Sequence, residues 1–317
     1  MTSVKICAGA GGQSLGLERA GFEHEALVEI DGACCATLRA NRPRWNVLHG
    51  DVNQFDGRAF AGVELLAGGV PCPPFSVAGK QLGAKDERDL FPEALRLPAE
   101  IRPRAVMLKN VRGFLDPGFE DYRDRLFAQF RKLGYRTDIK LLRASDHGVP
   151  QLRPRVVIVA LRSDDADHFA WPEISTATAP TVGNTLLDLM AANNWRGAEA
   201  WAAGAQSIGP TIVGSSKKHG GPDLGPSRAR KAWAQLGVNG GTIADSAPER
   251  DFTEVPKLTV RMVARIQGFP DDWHFTGRKT AAYRQVGNAF PPPVAEAVGR
   301  SIMQMFELAS RRTVMVA

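Results

Sequence analysis

The chain has 317 residues, 44% hydrophobic and 23% charged, enough to bury a full α/β core and still carry a second, smaller domain. No apolar run approaches the roughly 20 residues needed to cross a bilayer, and the N-terminus enters a strand-like stretch with no signal-peptide pattern, so a soluble cytoplasmic protein is expected. Cys7, Cys34, Cys35 and Cys72 show neither a disulfide framework nor zinc-ligand spacing, which implies free thiols and no metal; the net charge of +6 suits a polyanionic partner without requiring one.

In chain order, short apolar runs at residues 4–8, 26–30, 65–69, 105–108, 137–142 and 156–161 predict buried strands, with a further strand ending before Gly50. Between them, residues 32–41, 87–101 and 121–133 place apolar side chains three and four apart and predict helices. Such alternation implies an α/β, doubly wound, Rossmann-like sheet that binds ligands at the C-terminal ends of its strands. From about Trp171 to Pro256 the chain is rich in Gly, Pro, Ser and Ala with little sustained periodicity, and reads as a separate, smaller, loop-rich domain. Helical periodicity returns at residues 260–268 and 293–308, so the end of the chain is expected to rejoin the first domain. The resulting boundaries are 1–172, 173–276 and 277–317.

Three motifs carry chemistry. The turn Ala8-Gly9-Ala10-Gly11-Gly12 follows a strand and precedes a helix beginning near Ser14, so the backbone can turn sharply and approach a ligand. Glu29 ends the second strand, where a carboxylate can hold both hydroxyls of a ribose, and Gly50-Asp51-Val52 sets another acid where it can meet an adenine amino group. Together they suggest an adenosine-containing cofactor, although either acid alone would pass as a solvated loop residue. In the second motif, Gly69-Val70-Pro71-Cys72-Pro73, prolines on both sides of the thiol hold it in one direction, which suits a nucleophile; Cys34 and Cys35 lack such framing. The third, Gln151-Leu152-Arg153-Pro154-Arg155, puts two arginines at the mouth of a strand. If that strand is central they face a polar ligand, and if it lies at an edge they are solvated charges.

The ordered set resembles the bacterial DNA cytosine-5 methyltransferases of restriction-modification systems: the glycine turn, Glu29-Ile30-Asp31, Gly50-Asp51-Val52, Pro71-Cys72, Asn110-Val111, Gln151-x-Arg153-x-Arg155, residues 261–270 and Gln285-Val286-Gly287-Asn288. The resemblance spans nearly the whole chain in the family's order. It implies S-adenosyl-L-methionine as cofactor, held by Cys7, Ala8, Gly9, Ala10, Gly11, Gly12, Gln13, Ser14, Glu29, Ile30, Asp51, Val52, Pro71, Leu90, Asn288 and Ala289. It further implies base flipping, attack of Cys72 on C6 of cytosine, and support from Asn110, Arg153 and Arg155. The family's variable target-recognition region falls in 173–276. That span is not basic as a whole, but Lys217, Lys218, Arg228, Arg230 and Lys231 cluster in it against Asp223 alone. With Thr211, Ser76 and Lys80 they are the expected contacts to double-stranded DNA. A monomer is expected, accompanied by a cognate restriction endonuclease without a stable complex.

One departure matters. Where the family pattern reads Glu-Asn-Val, this chain has Lys109-Asn110-Val111. An ammonium donates only, so it cannot accept the N4 hydrogens of cytosine, and an impaired enzyme is the expected consequence. A catalytically silent DNA-binding homologue and a transfer-RNA cytosine-5 methyltransferase are the alternatives. A nicotinamide dehydrogenase would explain neither Pro71-Cys72 nor the paired arginines.

Overall fold

A computed structural model describes residues 1–70, 90–175, 178–214 and 221–316. The contacts divide the chain into two compact units. The first comprises Met1–Leu142, Pro154–Glu173 and Val294–Ala317, and the second Arg143–Arg153 and Ile174–Pro293.

The first unit is built on a seven-stranded sheet: β1 (Thr2–Ile6), β2 (Glu23–Glu29), β3 (Val47–His49), β4 (Leu65–Gly68), β5 (Ala105–Asn110), β6 (Tyr135–Arg143) and β7 (Pro154–Arg162). Their spatial order is β3-β2-β1-β4-β5-β7-β6. Pairs β1/β2, β2/β3, β1/β4 and β4/β5 are parallel, and β5/β7 is antiparallel. The unbroken apolar runs of β4 and β7 follow from this arrangement, because inner strands covered on both faces cannot alternate polar with apolar residues. β6, at the edge, alternates more buried with exposed positions from Tyr135 to Leu141.

Helices α1 (Gly12–Arg19), α2 (Gly32–Asn41), α3 (Phe91–Ile101), α4 (Glu120–Lys132), the short α5 (Ser163–Ala166) and, later in the chain, the long C-terminal helix Pro292–Val316 accompany the sheet. α3 buries Phe91, Ala94, Leu97 and Ile101, the three-and-four spacing that its sequence predicts. Residues 87–89, the expected first turn of that helix, lie outside the described residues. The C-terminal helix buries Val298, Ile302, Met305 and Phe306. Gly299 lets it approach closely: a Cβ there would stand 2.8 Å from that of Ala20 and 3.0 Å from Leu17. Phe306 also meets Phe22 edge to face and carries the Arg104 guanidinium 4.3 Å above its ring. β1 ends at Ile6, two residues before the expected Ala8, because Cys7 turns to a φ of 47°.

The stretch read as loop-rich holds three helices in the second unit: α6 (Val182–Met190), α7 (Ala198–Gly204) and α8 (Ser227–Gln235), followed by α9 (Val260–Ile266) and α10 (Lys279–Asn288); the C-terminal helix is thus α11. Periodicity did not show them because each presents only a few buried side chains. α8 buries Trp233 alone. α6 and α7 cross at Gly183, whose absent side chain lets the Ala202 carbonyl approach to 2.2 Å of the place a Cβ would take. Among the described residues no helix is long and apolar enough to cross a membrane.

Gly183→Ala should therefore force α6 and α7 apart and destabilise the protein by about 2 kcal/mol or more. Urea denaturation of the purified chain checks this, and an unchanged midpoint would show that the crossing relaxes freely.

Candidate active site

The strand order reverses between β1 and β4, the place where a doubly wound sheet opens a crevice at its carboxyl edge. Ile6 pairs with Val28 on one side and with Gly68 on the other. The glycine turn after β1 thus lies between the acidic end of β2 and the Gly69-Val70 segment that leads to Pro71 and Cys72. Pro71, Cys72, Ser76 and Lys80 lie outside the described residues.

Each strand end is shaped locally. Gly9 and Gly11 take φ values of 57° and 92°, in the left-handed region that favours glycine, and Gly11 caps α1. Ala8 donates to the Val28 carbonyl at 3.1 Å, and Gly11 to that of Ala8 at 3.3 Å. Glu29 is buried, and its carboxylate joins two turns. Oε2 accepts from the Gly9 amide at 2.6 Å and Oε1 from the Asp31 amide at 2.9 Å. Asp31 itself caps α2 by accepting from Ala33 and Cys34. Asp51 accepts from the Asn53 amide at 3.0 Å and from its side chain at 2.7 Å, both at Oδ1. Gly50 binds the Glu29 carbonyl at 3.0 Å and so holds the third strand end beside the second.

An adenosyl ligand suits these residues. Each Glu29 oxygen keeps a second lone pair for a ribose hydroxyl, and Asp51 Oδ2 accepts nothing among the described residues. A Cβ at Gly9 or Gly50 would meet nothing within 4 Å, so the backbone faces open space there. Ile30, 65% exposed, offers an apolar surface at the same edge, while Val52 is buried and Leu90 half-buried against the core. Gln13 donates to the Met107 carbonyl at 3.4 Å, and the buried Ser14 hydroxyl has no partner among the described residues. Ala10 and Gly12 are buried.

A cationic cluster underlies this edge, and Lys5, its deepest member, carries no motif that would reveal it in the sequence. Lys5 is 1% exposed, with its ammonium donating to the Ile6 carbonyl at 2.8 Å and to that of Cys7 at 3.5 Å. Burial, together with Lys109, brings its pKa down to about 7. Burial also pushes the Cys7 thiol up to about 11, so Cys7 stays protonated at neutral pH and is no competing nucleophile. Burial raises Cys35 likewise. Lys109, on β5, leans toward the end of β4: a Cβ on Gly69 would stand 3.5 Å from Lys109 Cε and 3.4 Å from the Cys7 carbonyl oxygen. Next to it, fully buried Asn110 fixes its Oδ1 on the Val111 amide at 2.7 Å, and its Nδ2 has no partner among the described residues.

The two arginines part. β7 runs between β5 and β6, which removes the edge-strand reading. Arg155, half-buried near its start, donates to the Pro154 carbonyl at 2.8 Å. Arg153 belongs to the second unit, fully buried, and binds three carbonyls there: Ile212, Gly287 at 2.7 Å and Ala289 at 2.7 Å. Gln151 receives the Ile212 amide at 2.7 Å and donates to Gln267 at 2.6 Å, and Gln267 in turn reaches the Val286 and Ala289 carbonyls. Thus the motifs at 151–153, 261–270 and 285–288 meet in one buried hydrogen-bond network, with Gly214 and Gly287 nearly in backbone contact. Asn288 is exposed and Ala289 buried within this unit. Thr211 is half-buried, and Arg228, Arg230 and Lys231 are exposed on α8. Lys217 and Lys218 lie outside the described residues.

Arg153→Met should leave three buried carbonyls short of a donor and lower stability by roughly 3 kcal/mol or more. A denaturant titration beside a DNA-binding assay tests this: unchanged stability with lost function would assign Arg153 to the ligand alone.

The pattern of the C-5 cytosine-specific DNA methylase family matches residues 1–304. The chain is 57% identical over 306 residues to the Type II methyltransferase M.NgoMIV of Neisseria gonorrhoeae, covering 96% of this chain and 97% of that one. It is 58% identical over 305 residues to M.NaeI of Lentzea aerocolonigenes, covering 94% and 74%. In fold it is similar to the solved structure of Spodoptera frugiperda DNMT2, with a TM-score of 0.66 at 15% identity over 95% and 99% of the two chains. The order reversal, the glycine turn with its acid and the match along nearly the whole sequence converge: the chain belongs to the C-5 cytosine-specific DNA methylase family.

Proposed function

We propose that this DNA cytosine-5 methyltransferase modifies a short double-stranded DNA sequence as the protecting partner of a restriction endonuclease, and that its present form is impaired by Lys109. The family and the fold imply S-adenosylmethionine as methyl donor. The glycine turn at residues 7–14, Glu29, Ile30, Asp51, Val52 and Leu90 are the residues that would hold it. When bound, it supplies an electrophilic methyl group on a sulfonium. The single observation that carries the cofactor reading is the Glu29 carboxylate, fixed by two backbone amides at the point of strand-order reversal, with its remaining lone pairs available.

The chemistry of the base sets what the protein must supply. C5 of cytosine is weakly nucleophilic, so a thiolate first adds to C6, and C5 then takes up the methyl group; loss of the C5 proton and of the sulfur restores the ring. Cys72 is assigned as that thiol, since its frame of prolines orients it and the raised pKa values of Cys7 and Cys35 remove them as rivals. A stacked cytosine hides C6, which requires the base to leave the duplex. Arg155 is assigned to the extruded base. Asn110 steadies the turn that follows β5 through its bond to the Val111 amide. At the base edge Lys109 can donate to N3 but accepts nothing from N4. Recognition of the flanking bases falls to the span 173–276, with Thr211 and the exposed Arg228, Arg230 and Lys231 as contacts. The protein is taken to act as a cytoplasmic monomer without a stable complex with the nuclease.

Lys109→Glu should raise methyl transfer by at least about 10²-fold, as expected when general-acid and positioning interactions are restored. Tritiated methyl transfer to mixed-sequence DNA measures it, and equal rates would make lysine a working substitute. In that restored background Cys72→Ser should abolish transfer, because a serine hydroxyl is scarcely ionised near neutral pH. A comparable rate in the serine form would remove Cys72 from its role.

A further inference from the structure

Among the described residues of the first unit Lys5 is the most deeply buried charge, and neither the motifs nor the addition of cysteine to the base uses it. It sits within β1, the strand that carries the glycine turn, and its ammonium points along the strand toward the carbonyls of Ile6 and Cys7. Three of the ionisable groups that bear on it belong to the cofactor edge, Cys7 at the end of its own strand, Glu29 at the end of β2 and Lys109 at the end of β5; a fourth, His24 near the start of β2, feels the Lys5 charge and is itself held down by burial. The Glu29 oxygens are already shared with the Gly9 and Asp31 amides, and no carboxylate among the described residues forms a salt bridge with Lys5. The Cys7 carbonyl is the meeting point of this cluster. The Lys5 ammonium approaches it, and the Gly69 position stands between it and the Lys109 side chain.

A ligand at this edge carries its charge close to the same point. Methyl transfer to a base held beside the β4 end requires the donor sulfur to lie at the carboxyl edge of β1, β4 and β5, where Lys109 lies and toward which Lys5 points. Before transfer that sulfur is a sulfonium cation, and after transfer it is a neutral thioether. The rest of the cofactor is the same in both. A buried positive charge directed at that edge, in a region of low effective dielectric, acts on that single difference.

We propose that Lys5 sets the charge preference of the cofactor site, its buried ammonium disfavouring the sulfonium form of the ligand and favouring the uncharged thioether product. The inference rests on the cofactor reading given above. Lys5 is then a specificity-determining residue that strengthens product binding, and it acts through charge, not through contact with the reacting atoms. Because its pKa lies at about 7, the discrimination is present when the group is protonated, below neutrality, and fades as the pH rises through that value. Lys109 adds to the same field from its own strand.

The test is calorimetric and needs no turnover. Dissociation constants of S-adenosylmethionine and S-adenosylhomocysteine are measured for the whole chain and for Lys5→Met, at about pH 6 and about pH 8.5, without DNA. The ligands' own amino groups titrate alike in both proteins, so the comparison between proteins isolates Lys5. At the lower pH the ratio of the two constants, methionine form over homocysteine form, should fall at least about threefold on substitution. At the higher pH the two proteins should give the same ratio. A ratio unchanged by the substitution at both pH values overturns the proposal while leaving the cofactor reading intact. Absence of binding by either ligand to either protein overturns the cofactor reading and the proposal with it. Lys5→Gln, which keeps a donor for the Ile6 carbonyl without a charge, gives the same readout should the methionine form fail to fold.

Discussion

The position of β1 between β2 and β4, parallel to both, is the constraint from which the site follows. A right-handed crossover from β1 leads to one side and a later one returns to the other, so the strand order reverses at β1 and the connections diverge above it. Four strand ends open onto that gap: the glycine turn, Glu29, Gly69 and Lys109-Asn110. None of them is close to its neighbours in sequence. Gly68 preserves the arrangement, since a Cβ there would come within 3.0 Å of Ile6 and 3.1 Å of Leu108. A larger residue would spread the strands that place the chemistry.

Charge at this edge is unusually arranged. Glu29 accepts from backbone amides on two sides, which gives the turn a fixed shape. Lys5 donates to the Ile6 and Cys7 carbonyls, and the Lys109 side chain reaches the same strand ends beside Gly69. The sheet thus brings a carboxylate and two lysines to neighbouring strand ends.

In the second unit the organising element is polar. Arg153, Gln151 and Gln267 join four chain segments through side chains that bond mainly to backbone carbonyls. Segments without regular secondary structure leave their carbonyls unpaired, and buried carbonyls need donors. One planar guanidinium can serve three of them at once. This gives Gln151, Arg153 and Gln267 a structural part in their motifs, and Arg153 is the one among them expected at a ligand.

The sequence by itself determined the strand and helix succession of the first unit, because buried parallel strands leave unbroken apolar runs and α3 and α4 leave regular spacing. It also showed the glycine turn and the acids Glu29 and Asp51 close to strand ends, since each depends on residue type and immediate neighbours. Short helices such as α8, with one buried tryptophan, left too weak a period to be read. Tertiary structure alone decided the partners of Arg153 and the burial of Lys5. An arginine at a strand mouth looks the same in sequence whether it meets a ligand or three carbonyls. A lysine within an apolar run gives no sign of what its ammonium meets until the pairing on both sides of β1 and its burial are known. Both depend on what is packed around the side chain, and that is set by strand order and by segments far away in the chain.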